Sequence, residues 1–232
     1  MEIPWRLLHP HLLLEKIQSP FNGSIQVYSE FGQPRIIVDG MPQSGGIVTD
    51  ILKKSLSHFN KPQNFLLLGL GGGDILHHIH RRWPDCHLTA VEIDPAMINI
   101  AKKYFKIDQI PNLKIVNADA YHFVTSPLPS PTRRGNSPSY FKRGLGGVNQ
   151  DATFDAILVD CYLGRQIPEK LEGLNFLRNL KILLTPSGVI AFNRLYDQKR
   201  VETQKFLNKL NQVFPSVTTH KAYCNILIIA TK

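Results

Sequence analysis

The chain has 232 residues, 43% apolar and 19% charged, which fits one folded domain with a small appendage and excludes a disordered tail. Its longest apolar runs, Phe65–Leu70 and Ile226–Ala230, are too short to span a bilayer. A net charge of +9 invites nucleic-acid binding, but Arg133, Arg134, Lys142 and Arg143 gather four of those charges in one acid-free stretch, and no aromatic–basic alternation of the RNA-binding type occurs elsewhere, so nucleic acid is not the favoured partner.

The opening Met1-Glu-Ile-Pro-Trp5 has neither a basic region nor a small-residue cleavage site, and reads as lacking a secretory leader. Met1–Pro20 reads as a partly helical arm. Ile25–Ser29 and Arg35–Asp39 are short β-type runs around a turn-rich spacer, hence a hairpin. A helix follows over Val48–His58. From Asn64 strand and helix alternate. Strands are expected at Phe65–Leu68, Leu88–Ile93, Leu113–Asn117, Phe154–Asp160 and Val189–Phe192, and two more at Val217–His220 and Tyr223–Thr231. The intervening helices are Asp74–Arg82, Pro95–Phe105 with proline in its first turn, a helix after the third strand, Leu171–Leu183 and Val201–Val213. Parallel strands joined by helices give a doubly wound, mostly parallel seven-stranded α/β sheet of Rossmann type. Residues 1–60 thus form an arm, hairpin and first helix, and 61–232 a nucleoside-binding α/β domain. Ser126–Gln150 breaks the rhythm: Pro, Gly and Ser supply 12 of its 25 residues, which marks a disordered surface insertion, tolerated because loop closure costs grow slowly with length.

Three cysteines, Cys86, Cys161 and Cys224, have no paired spacing and fit a reducing cytoplasm better than a disulfide framework. No Cys/His cluster has zinc spacing, and His77, His78 and His80 read as a helix surface, so no metal is expected.

The residues that carry chemistry stand where strands end. Gly69-Leu-Gly71-Gly-Gly73-Asp74 lies between an apolar strand and a helix, a place where bare backbone lets a ligand press close and a helix N-terminus offers free N–H groups. Glu92 ends the next strand, where a carboxylate accepts both ribose hydroxyls; Asp94, just before Pro95, reads as a helix cap. Asp119, beside Ala120, follows the third strand and either accepts from an adenine amino group or caps a helix. Asp160 ends the fourth and projects into the same crevice, because ligands of open α/β sheets sit beyond the strands' carboxyl ends. The glycine pattern is G-x-G-x-G with Asp74 where a dinucleotide fingerprint wants glycine. An acid-lined crevice suits a nucleoside bearing a positive sulfonium better than a pyrophosphate. An S-adenosylmethionine-type ligand is therefore favoured over NAD.

With these motifs in view, the chain resembles the spermidine synthase family of the class I methyltransferase-like fold, over about Ile25 to Phe192 without the insertion. Four segments carry the resemblance: Val38-Asp39-Gly40-Met41-Pro42-Gln43, Gly69–Asp74, Val91-Glu92-Ile93-Asp94, and Phe154–Asp160. It implies that Gly69, Gly71 and Gly73 pass beside the donor's amino-acid or aminopropyl tail, that Glu92 holds ribose and the Asp119-Ala120 segment adenine, that Gln43 reaches into the donor pocket, and that Asp160 orients the attacking amine or takes its proton. It also implies S-adenosylmethionine or its decarboxylated form as donor, a small-molecule amine or other nucleophile as acceptor, and a homodimer. Two departures stand out. Leu163 replaces the second acid of the family's D-S-S-D run, and Ile47–Asp50 replaces a Tyr-His pair; Arg165 in the acceptor region would repel a polyamine. These features point toward methyltransferase-like relatives. Aminopropyl transfer is the first expectation, small-molecule methylation the second, and a non-catalytic nucleoside-binding protein the third. Tyr162 either lays its ring near the sulfonium or walls the pocket.

Overall fold

The computed structural model describes residues 11–126, 153–164, 166–196 and 200–232. The arm's first ten residues, the insertion from residue 127 onward and Arg165 lie outside them.

The N-terminal part is a four-stranded antiparallel sheet in consecutive order: β1 (His11–Ser19), β2 (Gly23–Glu30), β3 (Gln33–Val38) and β4 (Met41–Ser44). The hairpin expected from the sequence is its centre. The expectation of a helical arm does not hold for its described part, since His11–Ser19 is a strand. Its leucines favour helix, but pairing with all of β2 overrides that local preference. Phe31-Gly32 and Asp39-Gly40 form two-residue turns with both residues at positive φ, the geometry whose twist matches that of the strands they join.

Helix α1 (Ile47–Ser55) and a short 3₁₀ turn at Leu56–His58 lead into the larger sheet. Its strands are β5 (Asn64–Leu68), β6 (His87–Glu92), β7 (Leu113–Asn117), β8 (Phe154–Val159), β9 (Leu184–Leu195), β10 (Ser216–Ala222) and β11 (Asn225–Thr231). They run in the order β10-β11-β9-β8-β5-β6-β7, with β5 to β9 parallel and β11 antiparallel to both its neighbours, β9 and β10. The helices are α2 (Asp74–Arg82), α3 (Pro95–Phe105), α4 (Ala120–Thr125), α5 (Leu174–Leu183) and α6 (Arg200–Asn211). The helix expected at Leu171–Leu183 is instead a 3₁₀ turn at Glu169–Glu172 followed by α5, with Gly173 between them. None of the described helices is long and apolar enough to cross a membrane.

Strand β5 shows why the sheet is central. Phe65 and Leu67 enter one hydrophobic cluster and Leu66 and Leu68 the other, so both faces are covered, as parallel sheets require. The first cluster also takes Ile25, Val27, Ile36 and Val38 from the N-terminal sheet, so the two sheets share one core. The chain winds outward from β5 to β7, then returns to place β8 on the other side of β5. That reversal opens a crevice beyond the carboxyl ends of β5 and β8.

Candidate active site

The crevice is floored by the turn after β5. Gly69 sits at φ +87°, a conformation open mainly to glycine, and a Cβ there would overlap the Asp160 carbonyl. Its N–H donates to the Val91 carbonyl at 3.0 Å, while the Asp160 N–H donates to the Leu68 carbonyl at 2.8 Å. The turn is thus stitched between its two neighbouring strands. Ser44 Oγ, at the end of β4, accepts from the Gly72 N–H at 2.5 Å, which docks the smaller sheet on the glycine turn.

Glu92 ends β6 and is 8% exposed. Its Oε2 accepts from the Leu70 N–H and its Oε1 from the Asp94 N–H, both at 2.9 Å. Burial pushes its carboxyl above the ordinary range, and these two N–H groups oppose that shift. A carboxylate has about four lone-pair sites, so the fixed group retains capacity for hydroxyl donors. Asp94 is the cap its sequence context predicts: it accepts from the Ala96 N–H at 2.9 Å. It is also fully buried and accepts from the Ser19 hydroxyl at 2.5 Å and the Asn22 amide at 2.7 Å, a tie between the sheets that the sequence spacing did not signal.

Asp119 serves as the N-cap of α4, its Oδ1 accepting from the Tyr121 and His122 N–H groups. Its Oδ2 takes the Lys170 ammonium at 2.5 Å. Burial pushes its pKa up, but Lys170 and the two backbone donors outweigh it, leaving the group below its usual value.

Asp160, just beyond β8, accepts at Oδ1 from the Asn193 amide at 2.8 Å. Burial pushes its pKa up to about 6; the Asn193 bond opposes this, and the charges of Asp74 and Glu92 add to it. Tyr162 donates its hydroxyl to the Asn193 carbonyl at 3.1 Å and accepts from the Leu195 N–H at 2.9 Å, so its ring is locked against β9. Burial holds the Cys161 thiol well above its ordinary pKa, which fits an inert apolar filler rather than a nucleophile.

A cavity of about 170 Å³ is lined by Gly69, Gly71, Glu92, Asp119, Asp160 and Tyr162. Ala120 lines it beside Asp119, and Gln43 enters from β4, its Nε2 donating to the Gly164 carbonyl at 3.4 Å. Gly73 stands apart. The space beside its Cα is filled by Ile107 and Leu70, so this glycine serves packing. Asn22, Met97 and Lys170 also line the cavity, although the sequence carried no motif for them. Asn193 could not be found either, because it interrupts an apolar strand with no periodic or motif signal.

Residues 65–130 match a family profile for a methyltransferase domain. The chain is 32% identical over 144 residues to a polyamine aminopropyltransferase of Vibrio vulnificus, covering 60% of this chain and 42% of that one. It is 29% identical over 165 residues to an eEF1A lysine and N-terminal methyltransferase homolog of Drosophila melanogaster, covering 68% of this chain and 21% of that one. It therefore spans less than half the length of either relative. Among solved structures, a probable spermidine synthase from Corynebacterium glutamicum superposes with a TM-score of 0.70 at 16% identity, over 94% of this chain and 79% of that one. This is the spermidine synthase-like form of the class I S-adenosylmethionine methyltransferase fold. Human methyltransferase-like protein 13 in complex with SAH shares it, with a TM-score of 0.62 at 23% identity over 80% of this chain and 82% of that one.

Proposed function

We propose that the chain is a transferase that holds an adenosyl sulfonium donor in this cleft and moves an aminopropyl group onto an amine. One observation carries the reading: Glu92, Asp119 and Asp160, from the carboxyl ends of β6, β7 and β8 on either side of β5, line one glycine-floored cleft at the topological switch point. Glu92 is suited to ribose hydroxyls and Asp119 with Ala120 to the adenine end. Gly69 and Gly71 present bare backbone to the tail, with Gln43 facing them.

Such a donor supplies an electrophilic carbon bonded to positive sulfur, with a neutral thioether as leaving group. The protein's share is alignment and deprotonation of the nucleophile. An amine near pKa 10 is mostly protonated at neutral pH. Asp160, raised to about 6, is a better proton acceptor than an ordinary aspartate and is still largely ionised at pH 7. Positioned proton transfer of this kind is typically worth about 10²–10⁴-fold.

Among the described lining residues Lys170 is the one cation, and it is committed to Asp119. A donor that carries a carboxylate therefore meets no free cation among the described lining residues, which supports the decarboxylated form. Methyl transfer is the second reading, supported by Leu163. This side chain lines the cleft where a polyamine would want a second acid, and it is 40% exposed. Calorimetry with S-adenosylmethionine and its decarboxylated form separates the two. At least tenfold preference for the decarboxylated donor is expected; preference for the carboxylated one rejects aminopropyl transfer.

A further inference from the structure

Behind Asp160 runs a buried polar chain that the sheet itself does not need. Asn193 on β9 and Asn225 at the start of β11 are 5% and 6% exposed, among Phe192, Leu227 and Ile228. The Asn225 Nδ2 donates to the Asn193 Oδ1 at 2.7 Å, and the Asn193 Nδ2 donates to the Asp160 Oδ1 at 2.8 Å. Cys224 Sγ donates weakly to the Asn225 Oδ1 at 3.2 Å. Two buried amides here cost desolvation that an apolar pair would avoid.

The chain has a direction. A side-chain amide has one accepting end and one donating end. Because Asn225 fills the accepting end of Asn193, only the donating end is left for Asp160. Asp160 Oδ1 is thereby kept an acceptor, and a proton taken up by this carboxyl must go to Oδ2. The Tyr162 hydroxyl, donating to the Asn193 backbone carbonyl, fixes the same segment from the other side. We propose that Asn193, oriented by Asn225, is a positioning residue that selects which oxygen of Asp160 exchanges the proton. The inference deepens the reading of Asp160 as the proton acceptor and rests on it for its place in catalysis.

The charged groups that act on Asp160 are Asp74 on α2 and Glu92 at the end of β6, both of which raise its pKa. Asn193 opposes them. Losing the Asn193 donor therefore raises the pKa further, and losing Asn225 does the same at one remove, by freeing the Asn193 amide to turn.

The test is a carbon-13 NMR titration of the Asp160 carboxyl in the wild-type chain, Asn193→Leu, Asn225→Leu and the double variant, with the acid limb of kcat/KM measured alongside. The expected result is a midpoint raised by about one pH unit in Asn193→Leu, a rise in the same direction in Asn225→Leu, and a double variant no further shifted than Asn193→Leu. A midpoint unmoved by Asn225→Leu in a folded protein overturns the proposal, as does additivity of the two shifts. A moved NMR midpoint that the acid limb fails to follow leaves the orientation intact and rejects Asp160 as the proton acceptor instead. Should the leucine variants not fold, Asn193→Ser and Asn225→Ser, whose hydroxyls are too short for these spans, give the same comparison.

Discussion

At the scale of single residues, the ionisable groups here are held by more than their partners. Asp160 shows the cost of that arrangement. A carboxyl whose pKa is raised by burial destabilises the fold when ionised, so its burden is absent at low pH and grows as the pH rises from its ordinary range through about 6. Asp160→Asn keeps an acceptor for Asn193 and removes the buried charge. At pH 8 the variant is expected to be more stable than the wild type by on the order of 3 kcal/mol, with roughly half that advantage at pH 5 and none well below pH 4. Urea denaturation at several pH values measures this, while turnover falls by two or more orders of magnitude. The three acids were visible in the sequence because each ends a strand in a fold that puts strand ends together. Their donors were not. Asn193, which holds Asp160, and Lys170, which holds Asp119, come from elements far from those acids in the chain, and a lone polar residue carries no period that locates its partner.

At the scale of elements, the glycine turn divides its work by position. Gly69 is irreplaceable through contact with the Asp160 backbone, Gly72 through the Phe105 ring and Gly73 through Ile107 and Leu70. Gly40 offers the control: its φ of +76° is similar to that of Gly69, but open space surrounds it. Gly40→Ala is expected to cost only the backbone penalty, about 1–2 kcal/mol. Gly69→Ala adds a backbone overlap and should cost well above 3 kcal/mol and abolish donor binding, as thermal denaturation and calorimetry on the two variants would report. Helix and strand order from Asn64 onward was legible because two-sided burial writes itself as continuous apolar runs, as in Phe65–Leu68. Strand β1 was illegible for the opposite reason. Its leucines scatter over exposed and half-buried positions, and what holds it extended is the backbone of β2.

At the scale of the whole molecule, the two sheets meet at Asp94 and Ser44. Asp94 caps α3 while receiving Ser19 and Asn22 from the end of β1 and the turn after it. Asp94→Ala removes a cap, worth about 1 kcal/mol, and strands the buried Ser19 hydroxyl at about 1–3 kcal/mol and the half-buried Asn22 amide at about 1 kcal/mol. A loss of about 3–5 kcal/mol in chemical denaturation is therefore expected, with donor affinity falling in parallel. The parallel fall follows from where the cavity's walls originate, since Asn22 and Gln43 belong to the N-terminal part and the three carboxylates to the parallel sheet. A fragment trimmed to the matched segment 65–130 lacks Asn22, Gln43 and Asp160 together. The smallest piece of this chain able to grip a nucleoside thus extends beyond any single sheet, and swapping a foreign N-terminal module onto the parallel half would rebuild the pocket rather than merely decorate it.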